Sequence, residues 1–199
     1  MKTYWILGIA MAAGLKASAG ECSVIVYTNV DPIMPLPTLV QAESRTTAMF
    51  REIGVEVIWR GGPVRAKAAD NPCGAAIVVR LEKTARVEAS PGALAFAAPF
   101  ADSGTCIHVF FDRIHDNSGG MDTLVLAHVL AHEIGHVLER MTRHSEDGVM
   151  KARWTLADYD HMKVRPLPFA SEDVELIHRG ITDRAVRGVA DRAVSAATE

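Results

Sequence analysis

The stretch Asp122–Met150 reads DTLVLAHVLAHEIGHVLERMTRHSEDGVM, and its first two thirds are mostly apolar. Asp122 is a suitable N-cap, and the residues from Thr123 to about Arg140 place apolar side chains on most faces of a helix. A helix that is apolar nearly all round belongs in a protein core. We therefore predict a buried helix at the centre of the fold.

This predicted helix contains the motif His132-Glu133-Ile134-Gly135-His136. Residues four apart lie one above the other on a helix, so both imidazoles can bind one cation, and such nitrogen-rich sites suit Zn²⁺. Glu133 lies about 100° round the helix from His132 and can reach the open coordination position without being a ligand. There its carboxylate would deprotonate a zinc-bound water, which would attack a carbonyl group.

The same five-residue pattern also occurs by chance in helices whose histidines simply face solvent. Here the motif has apolar neighbours on every side: Val129, Leu130, Ile134, Val137 and Leu138. A buried carboxylate and two buried imidazoles are unfavourable unless something compensates them. The burial therefore favours one catalytic zinc ion over the solvated alternative.

The residues after the motif extend it toward a known family pattern. Together with HEIGH, they resemble the metzincin clan of zinc peptidases, whose pattern is HExxHxxGxxH followed by a methionine turn. Glu139 stands at the glycine position and Thr142 at the third histidine position, and His144 comes two residues later. Without the glycine, we expect the helix to continue before the chain bends back. The resemblance implies His144 as third zinc ligand and Met150 as an apolar floor beneath the ligands; ordinary core filling is the alternative for Met150.

Other third ligands stay open at this point, and His144 is alternatively an exposed loop residue. In another zincin group a glutamate on a later helix completes the site, and a polar cluster also follows the methionine. The candidates are Glu172, Glu175, Asp158, Asp160 and His161.

Three more side chains near the motif have more than one interpretation each. His128 lies one turn before His132, so it either supports a ligand or is a buried histidine bonded to a backbone carbonyl. Trp154 and Tyr159 follow the methionine, and each either lines a specificity pocket or donates a hydrogen bond to an oxyanion, with core packing as the alternative for Trp154.

The remaining chain supplies a sheet. Apolar and β-branched runs predict strands at residues 22–30, 55–59, 75–81, 93–97 and 106–111, with helices at residues 38–53, 123–140 and from 171 onward. We predict an α+β fold: a single zincin-like domain with a five-stranded mixed sheet, a buried helix that carries the site, and a C-terminal helix. The resemblance covers this layout from Ser23 to about Arg179. It implies that the edge strand Ala93–Ala97 pairs with an extended substrate.

The N-terminus predicts export. Lys2, the apolar run Tyr4–Leu15 and the small residues Ala17-Ser18-Ala19 are typical of a signal peptide over residues 1–19, with an uncleaved anchor as the alternative. Residues 20–199 would form the domain, with a frayed tail from about residue 188. This mature part has 19 basic and 24 acidic residues, a net charge of −5. Such a balance argues against nucleic acid or an anionic membrane surface as a partner.

Three cysteines lie in the exported part, namely Cys22, Cys73 and Cys106. An oxidising compartment favours one disulfide and one remaining thiol. Cys73 and Cys106 each precede a strand-like run, which favours that pair.

These observations predict an exported zinc-dependent endopeptidase that acts on peptides or proteins. A catalytically silent binding or structural module held together by zinc is the alternative. Metal-assisted hydrolysis of a non-peptide amide is a third possibility.

Overall fold

A computed structural model of the chain describes residues 23–32, 34–62, 76–84, 91–97 and 105–196. The strands are β1 (Ser23–Val30), β2 (Glu56–Gly61), β3 (Ala76–Glu82), β4 (Ala95–Ala97) and β5 (Thr105–Phe110). The helices are α1 (Leu36–Glu52), α2 (Phe111–Asn117), α3 (Asp122–Glu139), α4 (Leu156–Val164) and α5 (Ser171–Ala196). The predicted α+β fold with a buried helix and a C-terminal helix is confirmed.

The five strands form one mixed sheet in the order β2-β1-β3-β5-β4. The first four pair in parallel, and β4 pairs antiparallel with β5. The strand β4 therefore lies at one end of the sheet, as expected for the edge strand Ala93–Ala97. It is shorter than predicted, because the ladder begins at Ala95 rather than at Ala93.

The core lies between this sheet and α3. Side chains of β1, β3 and β5 alternate, and those that face the helices are fully buried, among them Val26, Ile77, Val79, Ile107 and Val109. The predicted apolar face of α1 is also buried, namely Leu39, Ala42, Thr46, Met49 and Phe50. The Thr46 hydroxyl lies 3.0 Å from the carbonyl oxygen of Ala127, which ties α1 to α3.

The two ends of α3 differ from the prediction. Met121 is the N-cap, and Asp122 is the first helical residue. At the other end the helix does not extend past Glu139, because Arg140 takes the left-handed conformation with φ of 56°. That conformation ends a helix, and the family pattern has its glycine one residue earlier.

The helices α3 and α5 approach each other closely where α3 ends. The guanidinium group of Arg184 on α5 donates to the carbonyl oxygens of Val137 and Leu138. Burial lowers the pKa of Arg184 to about 10, so it remains a cation at neutral pH. A cation at a helix C-terminus also stabilises the helix dipole.

The helices α2 and α4 were not predicted. Each buries a single apolar side chain, Ile114 in α2 and Met162 in α4. One buried residue produces no helical periodicity, so the sequence pattern carried no signal for them.

Several predictions concern residues that the structure does not describe, and these stay predictions. The signal peptide, Cys22 and Cys73 lie outside the described residues. Helix α5 continues to Ala196, past the point where a frayed tail was predicted. No helix among the described residues is long and apolar enough to cross a membrane.

Candidate metal centre

His132 and His136 are oriented by backbone carbonyl groups. The Nδ1 atom of His132 lies 2.9 Å from the carbonyl oxygen of Val149, and that of His136 lies 3.1 Å from the carbonyl oxygen of Met141. A carbonyl oxygen only accepts hydrogen bonds, so each Nδ1 must carry the proton. Both Nε2 atoms are then left with lone pairs, and they lie 3.0 Å apart.

Two facing lone pairs at this distance repel each other unless a cation or a shared proton lies between them. Burial is the main cause that lowers the pKa of His132 to about 4 and of His136 to about 3, so neither ring is protonated at neutral pH. In a tetrahedral zinc site with Zn–N bonds of about 2.0–2.1 Å, two ligand nitrogens lie about 3.3–3.4 Å apart. The observed pair therefore fits a zinc ion after a shift of a few tenths of an ångström.

His144 completes the group. One ring nitrogen from each of His132, His136 and His144 lies within 4.8 Å of the others. The His144 ring is more exposed than the other two, and its centroid lies 5.3 Å and 4.9 Å from theirs. Three imidazoles facing one point form a donor set that zinc prefers.

The other proposed ligands lie outside this group of three histidines. Glu175 is exposed on α5. Each of the other four candidates contacts a basic side chain: Glu172 contacts Arg143, Asp158 contacts Lys151, Asp160 contacts Lys163, and His161 contacts Arg165. Within the described ranges, the three histidines form the only group of three or more His, Cys, Asp or Glu side chains that could hold a metal ion.

His128 does not reach this group. Its Nδ1 lies 2.6 Å from the carbonyl oxygen of Leu124, and its Nε2 accepts a hydrogen bond of 3.0 Å from the backbone N–H of Leu167. Both ring nitrogens are thus bonded to backbone atoms. Of its two interpretations, the structure favours the buried histidine, which here ties α3 to the segment before α5.

Glu133 lies beside the histidines at the bottom of a cleft of about 760 Å³. Residues 91–97 and 151–154 also line this cleft. Burial raises the pKa of Glu133 to about 8, and a hydrogen bond with the backbone of Ala97 opposes that rise. A divalent cation close to the carboxylate would favour its charged form. The position suits a base that faces a substrate in the cleft.

Met150 lies directly against the motif. A Cβ atom built on Gly135 would lie 2.6 Å from the Met150 sulfur, so a larger residue at this position would require the Met150 side chain to shift. Met150 is 1% exposed and belongs to the main hydrophobic core. Met150 therefore fills the core beside the histidine-bearing turn, and its role as an apolar floor beneath metal ligands stays a prediction.

Trp154 and Tyr159 both line the cleft. The indole ring of Trp154 meets the rings of His128 and His132 edge-on, each at a centroid distance of 6.0 Å. Tyr159 packs edge-on against Trp154 at 6.4 Å. The pair forms an aromatic wall that is partly core and partly pocket.

A buried charged cluster, which sequence reasoning missed, lies behind the site. The carboxylate of Glu139 is buried and has no hydrogen-bond partner in the described part of the chain, and the nearest guanidinium nitrogen, Nε of Arg143, is 4.0 Å away. Asp173 is also fully buried and binds Arg143 at 2.8 Å. The only signal for this cluster was Glu139 itself, a charged residue where the family pattern has glycine.

We expect Glu139→Gln to stabilise the protein more at pH 8 than at pH 5. Burial, together with the nearby carboxylate of Asp173, raises the pKa of Glu139 from 4.5 to about 7, while Arg143 opposes the rise. The folded chain then binds more protons than the unfolded chain between these values, so stability falls as the pH rises through this window. Glutamine does not titrate, and the difference should grow by roughly 1–3 kcal/mol between the two pH values.

Urea unfolding with a chelator present measures this difference without a contribution from metal binding. Glu175→Gln, which changes an exposed carboxylate on α5, is the matched control. A difference in unfolding free energy that is equal at both pH values would contradict the assignment.

Comparisons with known proteins agree with the fold. No protein-family model and no curated protein matches the sequence. Among solved structures, the chain is similar to an archaemetzincin from Methanopyrus kandleri, with a TM-score of 0.54 and 17% sequence identity. The match covers 83% of this chain and 99% of the archaemetzincin. The chain therefore has an archaemetzincin-like fold, which includes the sheet, the central helix and the C-terminal helix.

Proposed function

We propose that this protein is an exported zinc-dependent endopeptidase in which His132, His136 and His144 hold one zinc ion. The observation that carries the proposal is the facing Nε2 pair at 3.0 Å, with both Nδ1 atoms bonded to carbonyl oxygens. A zinc ion between the two lone pairs would remove their repulsion. The archaemetzincin-like fold and the motif HEIGH support a peptidase site, and the signal-like N-terminus supports export.

A bound zinc ion would polarise the scissile carbonyl and acidify the attacking water. The chain supplies the proton transfers. Glu133 takes a proton from the water as it attacks, and then delivers this proton to the leaving amine. The carboxylate is largely buried and lines the cleft, so it lies where a water beside the histidines could be deprotonated.

The cleft has a built-in means of holding an extended peptide. Strand β4 pairs with β5 on one side only, and none of the other described strands pairs with its outer edge. A substrate in extended conformation would add to that edge through backbone hydrogen bonds. The side chains of β4 are Ala95, Phe96 and Ala97, so binding of this kind makes few demands on substrate sequence.

Two measurements on purified protein test the proposal. Metal analysis is expected to find about one zinc per chain, as for a single three-histidine site. A peptide library is expected to be cleaved, with activity lost in chelator and restored by zinc. Protein that stays metal-free in excess zinc would refute the proposal.

The alternative is a zinc-stabilised binding module without catalysis. Zinc binding without cleavage of any peptide in the library would favour that alternative. The position of Glu133 argues for catalysis, because a structural zinc ion is fully enclosed by protein ligands and needs no carboxylate facing an open cleft.

A further inference from the structure

The three histidines are held in different ways. His132 and His136 lie on a rigid helix, and a backbone carbonyl oxygen fixes each ring. His144 lies on a loop, and no hydrogen bond to either of its ring nitrogens occurs within the described residues. The position of the His144 ring therefore depends on how the backbone on either side of it is held.

Asp173 holds the residues on both sides of His144. Its Oδ1 atom accepts a hydrogen bond of 2.8 Å from Nη2 of Arg143 and one of 2.5 Å from Oγ of Ser145. Its Oδ2 atom accepts a bond of 3.0 Å from the backbone N–H of Ala170, the residue just before α5. One buried carboxylate thus connects the helix α5 to both neighbours of the third histidine.

Next to His144, the backbone of the same loop is fixed on its C-terminal side, where Ser145 and Lys151 form a β-bridge. The N–H of Ser145 donates to the carbonyl oxygen of Met150 at 2.9 Å, which closes the loop on its C-terminal side. No such bond is found at Arg143 within the described part of the chain. On the N-terminal side of His144, the loop is therefore held through the side chain of Arg143 and its ion pair with Asp173.

We propose that Asp173 is a positioning residue for the third metal ligand: it holds the His144 ring toward the Nε2 atoms of His132 and His136. The inference rests on the proposed zinc site. A charged group that is fully buried is retained at a cost in desolvation, and its three hydrogen bonds offset that cost only in this geometry. We call the contacts of Asp173 with Arg143 and Ser145 the clamp. The clamp restricts the loop before the ion binds, so His144 loses less conformational entropy on binding.

The experiment is a double-mutant cycle on zinc affinity, measured by competition with a chromophoric chelator on the purified full chain. His144→Ala alone should weaken zinc binding and so verifies the ligand. Asp173→Ala alone is expected to weaken zinc binding about tenfold, the lower end of the effect of residues that orient ligands. In the His144→Ala background, Asp173→Ala should cost nothing further, because the group that it positions is gone.

A cost of Asp173→Ala that is equal in both backgrounds would overturn the proposal, since it would mean that the charge acts on the ion directly. Unchanged zinc affinity in the single variant would overturn it as well. Asp173→Asn separates the two effects: it keeps an acceptor oxygen for Ser145 without the charge. Retention of most of the zinc affinity in this variant supports positioning, and a loss equal to that of Asp173→Ala contradicts it.

Two further variants guard against a folding defect. Ser145→Ala removes one of the clamp's contacts and leaves the ion pair, so a smaller loss of zinc affinity, about threefold, is expected if the hydrogen bond contributes about 0.5–1 kcal/mol. Glu172→Ala is the matched control, because this exposed residue also pairs with Arg143, at 3.3 Å, but is not part of the clamp. Its zinc affinity should stay within about twofold of the wild type. The visible spectrum of the cobalt-substituted protein reports the ligand set independently of catalysis.

Discussion

Replacing Glu133 with glutamine is expected to lower the rate of peptide hydrolysis about 10²–10⁴-fold, the usual contribution of a general base. Glutamine has the same shape and still accepts the hydrogen bond from the backbone of Ala97, but it cannot take a proton from water. Burial raises the pKa of Glu133 to about 8, so the ionised carboxylate opposes folding at that position. The neutral variant should therefore be at least as stable as the wild type when metal is absent.

A large loss of activity without a loss of stability would separate a role of Glu133 in catalysis from a role in folding. The measurements are kcat/KM on a cleaved peptide, zinc content, and the free energy of unfolding in chelator. Asp160→Asn is the control, because Asp160 is an exposed acid that pairs only with Lys163 on the surface of α4. A Glu133→Gln variant that binds zinc and cleaves peptide at near the wild-type rate would remove this residue from the mechanism.

The sequence predicted the central helix and its two histidines because both signals are local. Apolar residues on most faces of an 18-residue segment predict burial, and a spacing of four predicts that two side chains share a face. Gly135 also belongs to this local pattern. Its role became clear only from the structure, where the Met150 side chain occupies the space that a Cβ atom would need.

The parts that could not be predicted depend on contacts between distant residues. The loop that carries His144 is held by Asp173. This residue lies on α5, 28 residues after Ser145 in the sequence. A pattern of apolar residues carries no information about such a pair. The end of α3 could not be predicted for a different, local reason: Arg140 takes the left-handed conformation, which is uncommon for a residue other than glycine.

The close packing of α5 on α3 leads to the second large effect. A Cβ atom on Gly180 would lie 1.8 Å from the carbonyl oxygen of Leu138 and 3.0 Å from its carbonyl carbon. These are backbone atoms of a buried helix, so they cannot move aside as a flexible side chain would. We expect Gly180→Ala to destabilise the protein by about 3 kcal/mol or more, at the upper end of overpacking effects.

The direction of the expected change in unfolding free energy is informative, because alanine is otherwise more favourable than glycine inside a helix. In an exposed helix the same change would stabilise the protein by about 1 kcal/mol. Gly61→Ala in strand β2 is the control for the added methyl group, since no atom of the described residues lies within 4 Å of a Cβ atom at that position. The midpoint of urea unfolding in chelator measures both variants. A Gly180→Ala variant as stable as the wild type would mean that α5 does not lie against the end of α3 in solution.

The same substitution also connects stability to the metal site. Asp173 and Gly180 lie on one helix, so a displacement of α5 away from Leu138 would also draw the carboxylate away from the His144 loop. The folded fraction of Gly180→Ala is therefore expected to bind zinc more weakly than the wild type, in the direction expected for Asp173→Ala. If its zinc affinity is unchanged although its stability is lower, then α5 stabilises the fold without positioning the third histidine.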